Sequence, residues 1–205
     1  FRMGSIESLE IDDDMIAVMN SSDRICRHLH LPLQAGSDAV LKAMNRHYTV
    51  AEYEALIARL RSRIDGLTVS TDLILGFPGE TEALFEETME TLKRLNFSHI
   101  HAFPYSPRKG TPAATMSGQI DTAEKKRRVE LVNELSARQK AALLESLVGT
   151  KASVLIETQE GTEGEGFTGN YERVAVSGLP EGAQRTVVSV ALVGTDGKKL
   201  LAEAL

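Results

Sequence analysis

One cysteine and no tryptophan stand among the 205 residues. Cys26 alone excludes an internal disulfide. It also excludes a metal centre built from this chain's thiolates alone, which takes three or four. No run approaches the roughly 18 apolar residues of a membrane span, and the opening lacks the basic-then-apolar order of a secretory leader. A cytoplasmic setting and no membrane partner are therefore expected. A basic excess is lacking too. The formal net charge is -6, with 12 basic and 16 acidic side chains over 1–120, 6 and 5 over 121–150, and 5 and 8 over 151–205. A stand-alone nucleic-acid binder carries the opposite balance, so any RNA must be held by local patches. What is present is ordinary for a globular chain: 42% hydrophobic and 25% charged residues, enough to bury a core.

Residues 1–118 alternate strand and helix patterns. Phe1 to Glu7, Arg27 to Leu33, Leu67 to Leu75 and Phe97 to Pro104 read as strands. Ser37, Thr49 with Glu52, and Thr81 read as helix starts, while Gly66 and Asn96 read as stops. This alternation predicts an α/β fold with parallel strands and right-handed crossovers. Four strands make about half of an eight-stranded barrel of roughly 250 residues, so further sequence is expected before Phe1. Residues 105–120 form a loop rich in proline and glycine, and a long helix follows from Asp121 to about Val148. From Lys151 the pattern turns to short strands punctuated by glycine, predicting a small all-β barrel. The expected domains are 1–120, a linking helix 121–148, and a barrel over 149–205.

Several groups are candidates for chemistry. The loop Gly76-Phe77-Pro78-Gly79 leaves a buried strand just ahead of a helix, where α/β folds gather ligands. Glu80 replaces the lysine of a phosphate loop, so backbone approach to a flat neutral ring suits it better; a plain tight turn is the alternative. His28-Leu29-His30 and His99-Ile100-His101 each put two imidazoles on one strand face, with Asp72 between them. They suit either a metal-dependent barrel hydrolase or a set of hydrogen-bonded structural groups. Gln34 and Ser37 sit at a strand end suited to ligand hydroxyls, unless Ser37 simply caps its helix. Ser5 and Glu7 lie near another strand end, where a carboxylate suits a ribose or an ammonium. Lys125, Lys126, Arg127 and Arg128 oppose the dipole at a helix start, which fits phosphate binding or a solvated face. Arg108 and Lys109 add two cations nearby.

Four blocks occur in order: His30-Leu31-Pro32-Leu33-Gln34-Ala35-Gly36-Ser37-Asp38; Met44-Asn45-Arg46 with Tyr48-Thr49; Thr71 to Thr81; and Phe103-Pro104-Tyr105-Ser106-Pro107-Arg108 with Gly110-Thr111-Pro112-Ala113. Together they resemble the radical-SAM tRNA methylthiotransferases. The segment His99 to Ser106 and the start Met3-Gly4-Ser5-Ile6-Glu7-Ser8 are most similar to the branch that acts on threonylcarbamoyladenosine. The last 57 or so residues resemble a TRAM domain, an RNA-binding β-barrel.

The resemblance implies a fold: the C-terminal half of a partial (β/α) radical-SAM barrel, then an OB-like TRAM barrel. It implies an activity, methylthiolation at C2 of the modified adenosine beside the anticodon, and a tRNA anticodon stem-loop as partner. It implies S-adenosylmethionine and 4Fe-4S clusters as cofactors in a full-length parent, together with an N-terminal part of the same protein. Cys26 matches none of the family's cluster cysteines, so this chain alone is expected to ligate no cluster and to be inactive. Ser5, Glu7, His30, Gln34, Ser37, Gly76 and Phe77 are implied around S-adenosylmethionine. The net charge of -3 over residues 151–205 weakens an electrostatic grip on RNA. Phe167, Asn170, Tyr171 and Arg173 are therefore implied as contacts through stacking and hydrogen bonds. A metal-dependent hydrolase and a non-enzymatic RNA-binding module remain the rival readings.

Overall fold

A computed structural model describes residues 1–7 and 11–205; Ser8, the last residue of the opening block, lies outside the described residues. The first unit comprises α1 (Asp13–Asn20), β1 (His28–His30), α2 (Asp38–Ala43), α3 (Val50–Arg63), β2 (Thr68–Leu75), α4 (Glu82–Leu95) and β3 (His99–Pro104). After a 3-10 turn at Pro112–Thr115 comes α5 (Thr122–Leu147). The second unit comprises β4 (Lys151–Glu160), β5 (Glu163–Thr168), β6 (Arg173–Ser177), β7 (Val187–Thr195) and β8 (Leu200–Ala204).

The helix starts follow local chemistry. Thr49 and Glu52 form a complete capping box, and Thr81 accepts a bond from the Leu84 amide. Asn96, at φ 47°, ends α4 in the left-handed conformation that asparagine tolerates. Asp121 caps α5 through the Glu124 amide at 2.9 Å, but the Glu124 carboxylate turns away to Arg127 and Arg128.

The strands β1-β2-β3 form an open parallel sheet in sequence order. Its helix-facing side carries Leu29, Val69, Leu73, Leu75 and Ile100, all buried with Leu92, Phe97 and Val132 in the first core. Two strand expectations change. Phe1 to Glu7 reduces to a single parallel bridge, Ser5 to His30, with the Ile6 amide on the His30 carbonyl at 3.2 Å. Gly4 and Ser5 supply no side chain that holds a strand on a sheet face. The strand expected over Arg27 to Leu33 stops at His30, because Pro32 has no N–H to donate; pairing resumes at Gln34, bridged to Leu73.

The second unit is a closed barrel in the order β4-β5-β6-β8-β7, with Val154, Ile156, Val174, Val176, Val190 and Leu200 in its core. The helix α5 joins the two units. Val132 and Leu135 belong to the first core and Leu144 to the second. Ser136 also accepts the Ile100 amide at 3.0 Å.

Candidate functional site

Because strand side chains alternate, the sheet face away from the helices is polar and layered by register. His28 and Thr68 form the lowest row. His30, Ser70 and His99 form the next, then Asp72 with His101, and at the top Ile74 with Phe103. Gln34 leaves the sheet at this upper end. Its φ of 68° is uncommon for a residue with a Cβ, and its amide and carbonyl stay tied to Asp72 and Ile74, each at 2.9 Å.

The lowest row is closed by the second unit. The turn between β5 and β6 brings Tyr171 against His28, with ring centroids 5.1 Å apart, and Phe167 stacks on Tyr171 at 4.9 Å. Thr68 donates to the Asn170 carbonyl at 2.6 Å, and Arg2 lies 3.8 Å over the Tyr171 ring. Lys140 of α5 pairs with the buried Glu172 of the same turn. The family resemblance groups Phe167, Asn170, Tyr171 and Arg173 as RNA contacts. In the fold the Asn170 carbonyl and the Tyr171 ring seat the hairpin on the sheet, and Arg173 is bidentate to Glu165 at 2.5 and 3.1 Å.

Both nitrogens of His28 meet hydroxyls, Nδ1 with Thr68 Oγ1 at 3.1 Å and Nε2 with Ser70 Oγ at 3.2 Å. Burial, reinforced by the Arg2 charge, lowers its pKa from 6.5 to about 4. The ring is thus neutral in the fold, whereas the unfolded chain binds a proton below pH 6.5. Its contribution to stability is fully present above pH 6.5 and is lost as pH falls towards 4. We expect roughly 2–3 kcal/mol to disappear across that window. Between pH 7.5 and 5 the urea midpoint should fall less for His28→Gln than for the wild type, the remaining fall belonging to His99, whose pKa burial likewise lowers to about 4. Parallel profiles for variant and wild type would remove His28 as the cause.

The upper rows hold the candidate ligand groups. His30 Nδ1 contacts Ser70 Oγ at 2.9 Å, and its Nε2 lies 3.2 Å from Asp72 Oδ2. His101 packs edge-on to both His30 and His99. Phe103, half exposed, stands at the top. Of the residues expected around a cofactor, His30, Gln34 and the Ser5 backbone gather here. Glu7 turns to Arg46 at 3.7 Å. Ser37 does not cap α2; its buried hydroxyl donates to Glu87 at 2.6 Å. The Gly76 amide donates to Glu80 Oε2 at 2.5 Å, and the buried Phe77 packs edge-on to Tyr105 at 5.2 Å. Both are covered rather than offered to a ring. Asp72, His101 and Phe103 were absent from the expected cofactor set, although the period-two alignment with His30 carried the signal.

The cationic run is largely internal. Arg128 is buried and meets Glu80 Oε2 at 2.9 Å, the Glu80 carbonyl at 2.8 Å and Glu124 at 2.6 Å. Arg127 pairs with Glu82 and Glu124 at 2.6 and 2.7 Å. The Lys125 stem lies against Gly76, where a Cβ would stand 2.4 Å from its Cγ. These three therefore do not form an open phosphate patch. Lys126, Arg108 and Lys109 are exposed.

Residues 4–92 match the Radical SAM superfamily model. That segment, 89 of the 205 residues, is similar to the radical-SAM superfamily. Curated relatives similar to this chain include the threonylcarbamoyladenosine tRNA methylthiotransferase of Bacillus subtilis, 40% identical over 188 residues, 88% of this chain and 41% of that protein. The tRNA-2-methylthio-N(6)-dimethylallyladenosine synthase of Moorella thermoacetica is 44% identical over 156 residues, 76% of this chain and 35% of that protein. The chain thus spans between about a third and two fifths of the length of these relatives. Among solved structures, the radical-SAM coproporphyrinogen III oxidase of Escherichia coli aligns with a TM-score of 0.55 at 13% identity, covering 98% of this chain and 50% of that one. That likeness concerns the fold. Among the described residues, no helix is long and apolar enough to cross a membrane.

Proposed function

We propose that this chain is the C-terminal part of a radical-SAM enzyme that methylthiolates C2 of N6-threonylcarbamoyladenosine next to the anticodon of tRNA. One observation carries the reading. Three of the sequence blocks shared with the methylthiotransferases meet at one end of the sheet through Gln34, Ile74 and Phe103, with Ser5 bridged lower down at His30. The threonylcarbamoyl branch is favoured because the segments His99 to Ser106 and Met3 to Ser8 are most similar to it; relatives of both branches align with the chain, at 40% and 44% identity.

The donor set suits an adenosyl group better than an iron–sulfur cluster. Phe103 offers an exposed aromatic surface beside Ile74, Gln34 supplies a polar group near that end through its bridge to Leu73, and Ser5 lies lower, beside His30. The one thiol, Cys26, precedes β1 and so lies at the opposite end of the strand from Gln34. In a complete enzyme the cluster thiolates must come from outside these residues. S-adenosylmethionine bound with such a cluster supplies hydrogen abstraction and a methyl group, while the protein orients and shields the reacting atoms. The exposed Lys126, Arg108 and Lys109 are our candidates for tRNA phosphates. The companion candidates Phe167 and Tyr171 retain partial exposure for stacking.

The test is nucleoside mass spectrometry on tRNA from a bacterial strain lacking its own methylthiotransferases and supplied with the full-length protein that contains this chain. The 2-methylthio derivative of threonylcarbamoyladenosine should appear, and the 205-residue chain alone should yield none. Appearance of only the dimethylallyl product would move the protein to the other branch. Absence of both would reject the proposal.

A further inference from the structure

We propose that His30, Asp72 and His101 form a binding site for a divalent transition-metal ion, separate from any thiolate-held cluster. The three residues come from β1, β2 and β3 and face the same side of the sheet. One ligand atom from each lies within 4.8 Å of the others, with His30 Nε2 and Asp72 Oδ2 at 3.2 Å. An ion about 2.1 Å from nitrogen and oxygen ligands separates neighbouring ligand atoms by roughly 3–3.5 Å. From a spread of up to 4.8 Å this needs a closure of roughly 1.5 Å at most, within the reach of side-chain rotation on a fixed sheet.

The surroundings fit the same reading. Ser70 Oγ engages His30 Nδ1 at 2.9 Å, which leaves Nε2 directed at the Asp72 carboxylate. Metal-bound imidazoles are commonly held in this way through their second nitrogen. Among the described residues, no hydrogen bond is made to the Asp72 carboxylate, whose near neighbour is His30 Nε2 at 3.2 Å, and none is made by the His101 ring. His28, by contrast, has both nitrogens engaged by hydroxyls and stands one row below His30 and two below Asp72 and His101. The four-imidazole centre that the paired His-x-His segments suggested is therefore replaced by two imidazoles and one carboxylate.

That donor set points to a borderline ion such as Zn²⁺, Co²⁺ or Fe²⁺ rather than Mg²⁺ or Ca²⁺. Three ligands on one face leave coordination positions open. Here those positions face the row containing Ile74 and Phe103, so a bound ion would meet an oxygen or nitrogen of whatever occupies the top of the sheet. The site rests on its own geometry and stands whether or not the methylthiotransferase reading does.

Co²⁺ is the direct probe, added to tag-free protein and followed by ligand-field absorption and by isothermal titration. One Co²⁺ per chain should bind, and Zn²⁺ should displace it. Asp72→Asn and His101→Gln should each weaken binding at least about tenfold, whereas His28→Gln should leave it within about twofold. Thermal unfolding of each variant, followed by circular dichroism, checks that the sheet is intact. Absence of stoichiometric binding in the folded wild-type chain would overturn the proposal. So would unchanged affinity in folded Asp72→Asn and His101→Gln, since the ion would then sit elsewhere.

Discussion

Arg128→Met is expected to lower unfolding stability by about 3–5 kcal/mol, the usual cost of leaving half of a buried ion pair behind. Arg128 and Glu80 are both almost completely buried, and the guanidinium also serves the Glu80 carbonyl and Glu124. Without it, Glu80 keeps only the Gly76 amide and loses its compensating charge. Urea unfolding measures the loss. Pairing the change with Glu80→Gln removes the stranded carboxylate and should recover about half of it. A single variant costing under about 1 kcal/mol, or a double variant no better than the single, would contradict this account.

The second large effect belongs to the barrel. At Gly166 a Cβ would stand 2.0 Å from the Leu155 carbonyl oxygen and 3.0 Å from the Ile156 Cα. Both are backbone atoms of β4, beside the register shift between Ile156 and Thr158. No side-chain rotation relieves such a clash, so β4 and β5 must separate. Gly166→Ala should cost about 3 kcal/mol or more, the upper range for overpacking. Gly169→Ala is the control, since a Cβ there meets nothing within 4 Å. Thermal unfolding of both variants decides the matter, and equal behaviour would show that the strand spacing is not what requires glycine.

The contrast between these sites and the helix caps shows what a sequence discloses. Thr49 with Glu52, Thr81 and Asn96 act on neighbours within four residues, and each does in the structure what its local pattern announces. The alternation of strands and helices was legible for the same reason, as was the turn to β structure after Lys151. The cationic run was not. Its meaning depends on Glu80 and Glu82, more than 40 residues away in sequence. Ser37 looked like a cap until Glu87, 50 residues on, accepted its hydroxyl. The polar face was half legible. Period two put each histidine pair on one side of its strand, but only the register of three strands shows that Asp72 reaches His30 while His28 meets the barrel.

The same barrel hairpin has a mechanical meaning. The helix α5 runs 26 residues, about 39 Å at 1.5 Å per residue, and works as a strut rooted in both units. The hairpin tip at Asn170 and Tyr171 gives a second anchorage at the foot of the sheet, and the Lys140–Glu172 pair braces strut to hairpin. Three attachments triangulate the assembly and remove the hinge that a lone helical connector would leave. Any load taken by the barrel is thereby delivered at a set distance and bearing from the uppermost row of the sheet.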